Sequence, residues 1–197
     1  RYSDAIVFFF DIKDSISFIL IPVILTNLVQ MLDGKELRSI FQETKFFLFT
    51  SVVFVIPGFL VLRAINSNTI LIILASLLVL NSCLVLFNKI ITIKRHTSFQ
   101  TQFWIGALTG ITTGVTSIYT MPFIFLIQSL NFNKEKLIQL MGLSFFLYSL
   151  TQFTLFYSFS MINEKVLLFS SVACVPIIFG VISGKYLRKV LSEQAFK

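Results

Sequence analysis

The chain has 197 residues, 56% of them hydrophobic and 13% charged, with mean hydropathy +0.89 and formal net charge +7. Soluble domains carry about 25% charged residues, and a globule of this length has too little interior to hide so much apolar surface from water. That excludes a soluble domain. It also excludes reading the positive balance as a nucleic-acid footprint, because Lys and Arg sit between apolar runs, where they set membrane orientation.

The apolar runs follow in order. Ile16–Leu32 is entered from the polar stretch Asp11–Ser15. Lys45–Leu62 and Thr69–Phe87 come next, then a long stretch Phe103–Leu130, then Leu137–Ser160 and Val166–Leu187. A bilayer span needs about 20 such residues. The runs are continuous and do not alternate, so they predict helices and not a barrel. Pro22, Pro57 and Pro176 fall inside runs and predict kinks. Cys83 and Cys174 also lie in runs and read as small hydrophobes. No metal pattern, cofactor motif or cleavable leader is recognisable.

The fourth stretch is unusual. Gly106, Gly110 and Gly114 recur every four residues on one helical face, which permits close helix packing. Thr116 to Met121 then lead into Pro122, which removes a backbone donor and pushes its predecessor out of the helical region. A single helix over the whole stretch would be about 42 Å long at 1.5 Å per residue, against a hydrocarbon core of about 30 Å. It must tilt strongly or break near Ser117–Met121.

Charge chooses between these. If the stretch crosses once, Lys and Arg divide almost evenly between the two sides. If it enters and returns, one side collects Lys35, Arg38, Lys45, Lys89, Lys94, Arg95, Lys134, Lys136, Lys185, Arg188, Lys189 and Lys197. The other side keeps Arg1, Lys13, Arg63 and Lys165. Only the second division has the asymmetry of the positive-inside rule, so a re-entrant hairpin is expected. Irregular backbone at membrane depth must be buried in protein or line a polar cavity. Thr112–Pro122 is therefore a candidate site.

The chain also overlays on itself. A shift of 122 positions puts Phe10 on Phe132, Gln30 on Gln152, Phe47 on Phe169, Gly58 on Gly180 and Arg63 on Lys185 without a gap. With the hairpin in place the two copies cross in opposite directions, the inverted-repeat plan of secondary transporters. The expected organisation is a first repeat over 1–91, a basic cytoplasmic loop over 92–102 and a second repeat over 103–197. The same overlay leads one to expect a matching Gly-rich hairpin before Arg1 and a further helix after Lys197, with Arg1 an internal position of a longer chain. The fold class is an all-α polytopic membrane protein, made of two inverted repeats with a broken or re-entrant Gly-rich segment.

The run GALTGITTGVTSIYTMPFIFLIQSLNFNKEKLIQLMGLSFFLYSLTQ resembles the second-half signature of the sulfite exporter TauE/SafE family, and VISGKYLRKVLSEQAF is similar to the stretch after that family's penultimate helix. The resemblance covers most of the chain. One departure is that Ser117, Ile118, Tyr119, Thr120 and Met121 stand where family members have several glycines. The resemblance implies a permease in the inner membrane that moves a small anion such as sulfite, thiosulfate or an organosulfonate. The departure leaves the particular substrate open.

The residues themselves suggest how an anion could be held. Thr112, Thr113, Gly114, Thr116, Ser117, Tyr119 and Pro122 lie at the break, where free N–H groups, hydroxyls and a phenol converge. The alternative is that Ser and Thr bond to their own helix or glue helices together. Gln30 and Gln152, the repeat-related amides, have Asn27, Ser149, Thr151 and Tyr148 within a turn, and such groups should face the bundle interior. Asn81 also sits within a span, and His96 lies in the basic loop. No carboxylate lies deep in a run, which argues against a proton relay. A membrane enzyme would need a nucleophile–base pair or a metal set, and a lone loop histidine supplies neither. A non-transporting scaffold or assembly factor is the alternative function. Expected partners are a small anionic solute and the lipid bilayer, with no nucleic acid; a homo-oligomer remains open.

Overall fold

The computed structural model describes residues 12–86, 98–119, 122–130, 132–162 and 164–190. The basic loop with Lys94, Arg95 and His96, the residues Thr120 and Met121, and the charged C-terminal stretch beyond Val190 lie outside the described residues, as do the side chains of Asn81, Lys165, Lys185, Arg188 and Lys189.

Among the described residues the chain is all helical: α1 Ile12–Leu32, α2 Leu37–Ala64, α3 Ser67–Leu86, α4 Phe99–Thr116, α5 Phe123–Ser129, α6 Lys134–Ser158 and α7 Glu164–Val190. Three of them, α1, α2 and α6, are long and apolar enough throughout to cross a membrane, and α3 and α7 contain shorter apolar segments. The helices run on through Pro22, Pro57 and Pro176. Four boundaries have a local cause. Asn66 starts α3 by accepting the Thr69 N–H at 2.8 Å, and Asn133 starts α6 by accepting the Lys136 N–H at 2.8 Å. Ser117 and Ser160 end α4 and α6 with positive φ, 58° and 54°.

Contacts fix the directions. Lys136 Nζ donates to Ser39 Oγ and Tyr148 OH to Ser51 Oγ, both across 97 positions. Two pairs with the same offset mean that α2 and α6 run parallel. α1 runs the other way: Gln139 near the start of α6 reaches Met31 at the end of α1, while Phe156 near the end of α6 clusters with Ile16 and Leu20. α1 and α6 therefore run in opposite directions. Ser170 of α7 donates to the Phe18 carbonyl at 2.6 Å, placing the start of α7 beside the start of α1.

One end of the bundle thus holds the α1–α2 turn with Lys35 and Arg38 and the start of α6 with Lys134 and Lys136. The opposite end holds Lys13, which donates to the carbonyls of Arg63 and Ile65 where α2 ends.

The fourth apolar stretch is a re-entrant hairpin. α4 climbs alongside α2 from the basic end: Gln102 meets Glu43 and Phe47, Gly106 meets Phe47 and Thr50, Gly110 meets Ser51 and Phe54, and Gly114 meets Val55 and Phe59. The chain then turns back. Tyr119 lies against Tyr148 and Phe145. Phe123 stacks on Phe47 at 4.9 Å. Leu126 and Leu130 join Ile40 and Leu140 in one core cluster. The descent from Tyr148 to Leu140 on α6, and from Phe47 to Ile40 on α2, returns the chain to the end where α4 began. At 1.5 Å per residue, α4 with its 18 residues rises about 27 Å and α5 with its 7 residues only about 10 Å. The helix breaks as its excess length required.

Candidate functional site: the tip of the re-entrant hairpin

The tip is held from two directions. On one side the glycine face of α4 lies close against the backbone of α2. A methyl group on Gly106 would come within 2.9 Å of the Phe47 carbonyl oxygen, and one on Gly110 or Gly114 would collide with the carbonyl of Ser51 or Val55. Gly58 of α2 answers in kind, packed on the backbone of Ile111 and Gly114. Only glycine permits this approach.

On the other side stands Gln152 of α6, fully buried. Its amide nitrogen donates to the Thr113 carbonyl and to Ser117 Oγ, both at 2.9 Å. Its amide oxygen accepts the Tyr119 hydroxyl at 2.9 Å. One side chain therefore joins the last turn of α4, its left-handed cap and Tyr119 just beyond it. Thr113 Oγ1 donates onward to the Ile118 carbonyl at 3.2 Å, and the Ile118 N–H donates to Thr116 Oγ1 at 3.2 Å. These bonds serve the backbone groups that the break strips of helical partners. Ser117 Oγ is occupied as an acceptor, which leaves its own proton to donate.

The sequence profile of the sulfite exporter TauE/SafE family matches residues 5–197. The chain belongs to that family. Its members are membrane transporters, which fits a polytopic helical chain with a re-entrant segment. No curated protein and no solved structure matches it.

The candidate residues of this TauE/SafE protein divide into three groups. Thr113, Thr116, Ser117, Tyr119 and Gln152 come together at the tip, between the close contact at Gly114 and Pro122, which caps the start of α5. Thr112 turns back on its own helix, donating to the carbonyls of Leu108 and Thr109. So do Ser149, to Phe145 and Phe146, and Asn27, to Val23 at 2.8 Å. Gln30 stands apart from Gln152. Its backbone packs on Gly142, where α1 crosses α6, ten positions and therefore about 15 Å along the helix from Gln152.

Two buried side chains escaped the sequence reading. Gln102 spans the Glu43 carbonyl and the Phe47 N–H at 2.6 and 3.2 Å, the pair that a regular helix bonds to each other. Gln139 donates to the Met31 carbonyl and accepts the Glu36 N–H, so it serves the open ends of α1 and α2 together. The available signal was an amide on an otherwise apolar helix face, Gln102 just before its apolar run and Gln139 near the start of its own. Tyr148, expected to face the interior, is buried and donates to Ser51.

Proposed function

We propose that the protein moves a small oxyanion, of the class of sulfite, thiosulfate or a simple organosulfonate, across a bacterial-type inner membrane, and that the hairpin tip at Thr113, Ser117, Tyr119 and Gln152 handles the anion. The observation that carries this reading is the Gln152 amide, which bonds to the break and not to its own helix. A helix break inside a membrane is tolerated where it lines a polar path, and the family supplies the transporter. The tip holds hydroxyl, phenol and amide groups and no fixed charge, which suits an ion that must be released again. An inverted pairing of the two halves, and a cytoplasmic location for the end with Lys35, Arg38, Lys134 and Lys136, belong to the same proposal.

The test is uptake of labelled sulfite, thiosulfate and a simple sulfonate into vesicles containing the full-length protein. Gln152→Leu should lower flux by at least roughly tenfold, the equivalent of one lost hydrogen bond of about 1.4 kcal/mol. Wild-type flux retained in a well-expressed Gln152→Leu protein would move the site elsewhere. No flux of any anion in the wild type would favour a scaffold. A cysteine placed at Asn133 should react with an impermeant thiol reagent from the cytoplasmic face, and labelling from the other face would reverse the orientation.

A further inference from the structure

The polar seam between α4 and α6 does not stop at the tip. Thr109 lies one turn before Thr113 on α4, and Tyr148 and Ser144 lie one and two turns before Gln152 on α6. The two helices run parallel and Thr113 meets Gln152, so Thr109 sits at the level of Tyr148. Tyr148 OH donates to Ser51 Oγ at 2.9 Å, and Ser51 Oγ donates to the Leu48 carbonyl at 3.0 Å. The Ser51 carbonyl in turn abuts Gly110, the neighbour of Thr109. Three helices thus bring Ser51, Thr109, Ser144 and Tyr148 to one junction, each with 0% exposure.

Tyr148 and Ser51 have committed their protons, to Ser51 Oγ and to the Leu48 carbonyl. Thr109 Oγ1 is buried with no hydrogen-bond partner, and Ser144 Oγ has only the Tyr148 hydroxyl beside it. Thr112 and Thr116 on the same helix, and Thr44 and Thr151 elsewhere, all donate to the carbonyl four residues back. Thr109 departs from that habit. A buried hydroxyl without a partner destabilises the fold, and a helix offers it an easy remedy. One left so at the junction of three helices has a different use.

We infer that the junction is a second station on the same path, where a small oxyanion takes the protons of Thr109 and Ser144 after leaving the tip and before reaching the basic end. This rests on the transport reading. The hydroxyls donate at a site free of Lys, Arg and carboxylates, so the ion passes through and does not lodge.

The experiment combines flux with stability. Thr109→Val and Ser144→Ala change a hydroxyl for a methyl or a hydrogen at nearly constant shape, and are made singly and together in the full-length protein in vesicles. Labelled sulfite and thiosulfate flux should fall roughly tenfold in the double variant, while its melting temperature in detergent holds or rises. Unchanged flux in the double variant, with an active wild type, overturns the station and leaves the tip standing. A lowered melting temperature overturns it too, since it shows that the hydroxyls bind the fold together. If raised sodium restores flux, the oxygens serve a cation and the oxyanion assignment fails. A wild type that moves neither anion fails the transport reading, and the station falls with it.

Discussion

The face of α4 that carries Gly106, Gly110 and Gly114 lies backbone to backbone on α2, whereas the face that carries Thr109 and Thr113 meets α6 through side chains. Both faces are buried, and both belong to one 18-residue helix. The first has little that can adjust. Its closest contacts are with backbone and Cβ atoms of α2, and in lipid the gain comes from close packing alone, because tails are as apolar as the helices. The second is made of groups that can exchange partners. A path for a solute needs both: a wall that does not move, and facing groups that can let go of each other.

The largest expected effect breaks the first face. Gly110→Leu would drive a side chain into the Ser51 carbonyl and the backbone of Phe54. Ordinary overpacking costs about 1–3 kcal/mol because side chains yield. Here the obstacle is a helix backbone, so the hairpin should detach from α2. The expected outcome is loss of the monodisperse peak in size-exclusion chromatography in detergent and of the thermal transition. A well-folded Gly110→Leu protein would mean that the glycine face is not the fixed wall.

This face was legible because its signal is geometric. Three glycines at intervals of four, followed by a proline, can be read without knowing the partner, and an over-long apolar stretch shows that it must break. The even alternative in the charge division removed a single crossing, and the return of Phe123 to Phe47 and of Leu130 to Ile40 agrees. The polar face was half legible. Thr113, Ser117 and Tyr119 announced themselves by their place at the break, and Gln152 as a repeat-related amide within an apolar run. Gln30 was included because the repeat maps it onto Gln152, but a repeat equates positions in two copies and does not bring them together. Asn27 and Ser149 illustrate a second limit: a polar side chain in a helix can bond to its own carbonyls, and the sequence is the same either way. Gln102 and Gln139 show a third, since their work depends on which stretch of another helix lies opposite.

A smaller effect sharpens the comparison on the second face. Thr113→Val keeps the volume and removes the bond from Thr113 Oγ1 to the Ile118 carbonyl. The Thr113 carbonyl still accepts from Gln152. Stability should fall by about 1 kcal/mol, the ordinary worth of one such bond, and the protein should stay folded with reduced anion flux in vesicles. If Thr113→Val unfolded the protein as Gly110→Leu does, the two faces would not differ in kind. If it left flux untouched, the Thr113 hydroxyl would be holding the loop and nothing more.

The smallest effect belongs to the basic end, where a third kind of contact joins α2 to α6. Lys136 Nζ lies 2.7 Å from Glu43 Oε1, with 14% of the lysine side chain and 40% of the glutamate side chain exposed. It also donates to Ser39 Oγ at 2.8 Å and lies 3.8 Å from the centre of the Phe132 ring. Glu43→Gln removes one charge and keeps an acceptor oxygen in place. The lysine retains its hydroxyl and its aromatic face. A pair this open to solvent is worth about 0–1 kcal/mol, and salt screens it. The expected loss is therefore about 0.5 kcal/mol, seen as a small fall in melting temperature that vanishes as ionic strength rises. A loss of about 3 kcal/mol, insensitive to salt, would belong to a desolvated pair. It would put the Glu43–Lys136 contact in one class with the buried polar groups around Gln152 and end its separation from them as a replaceable surface tie.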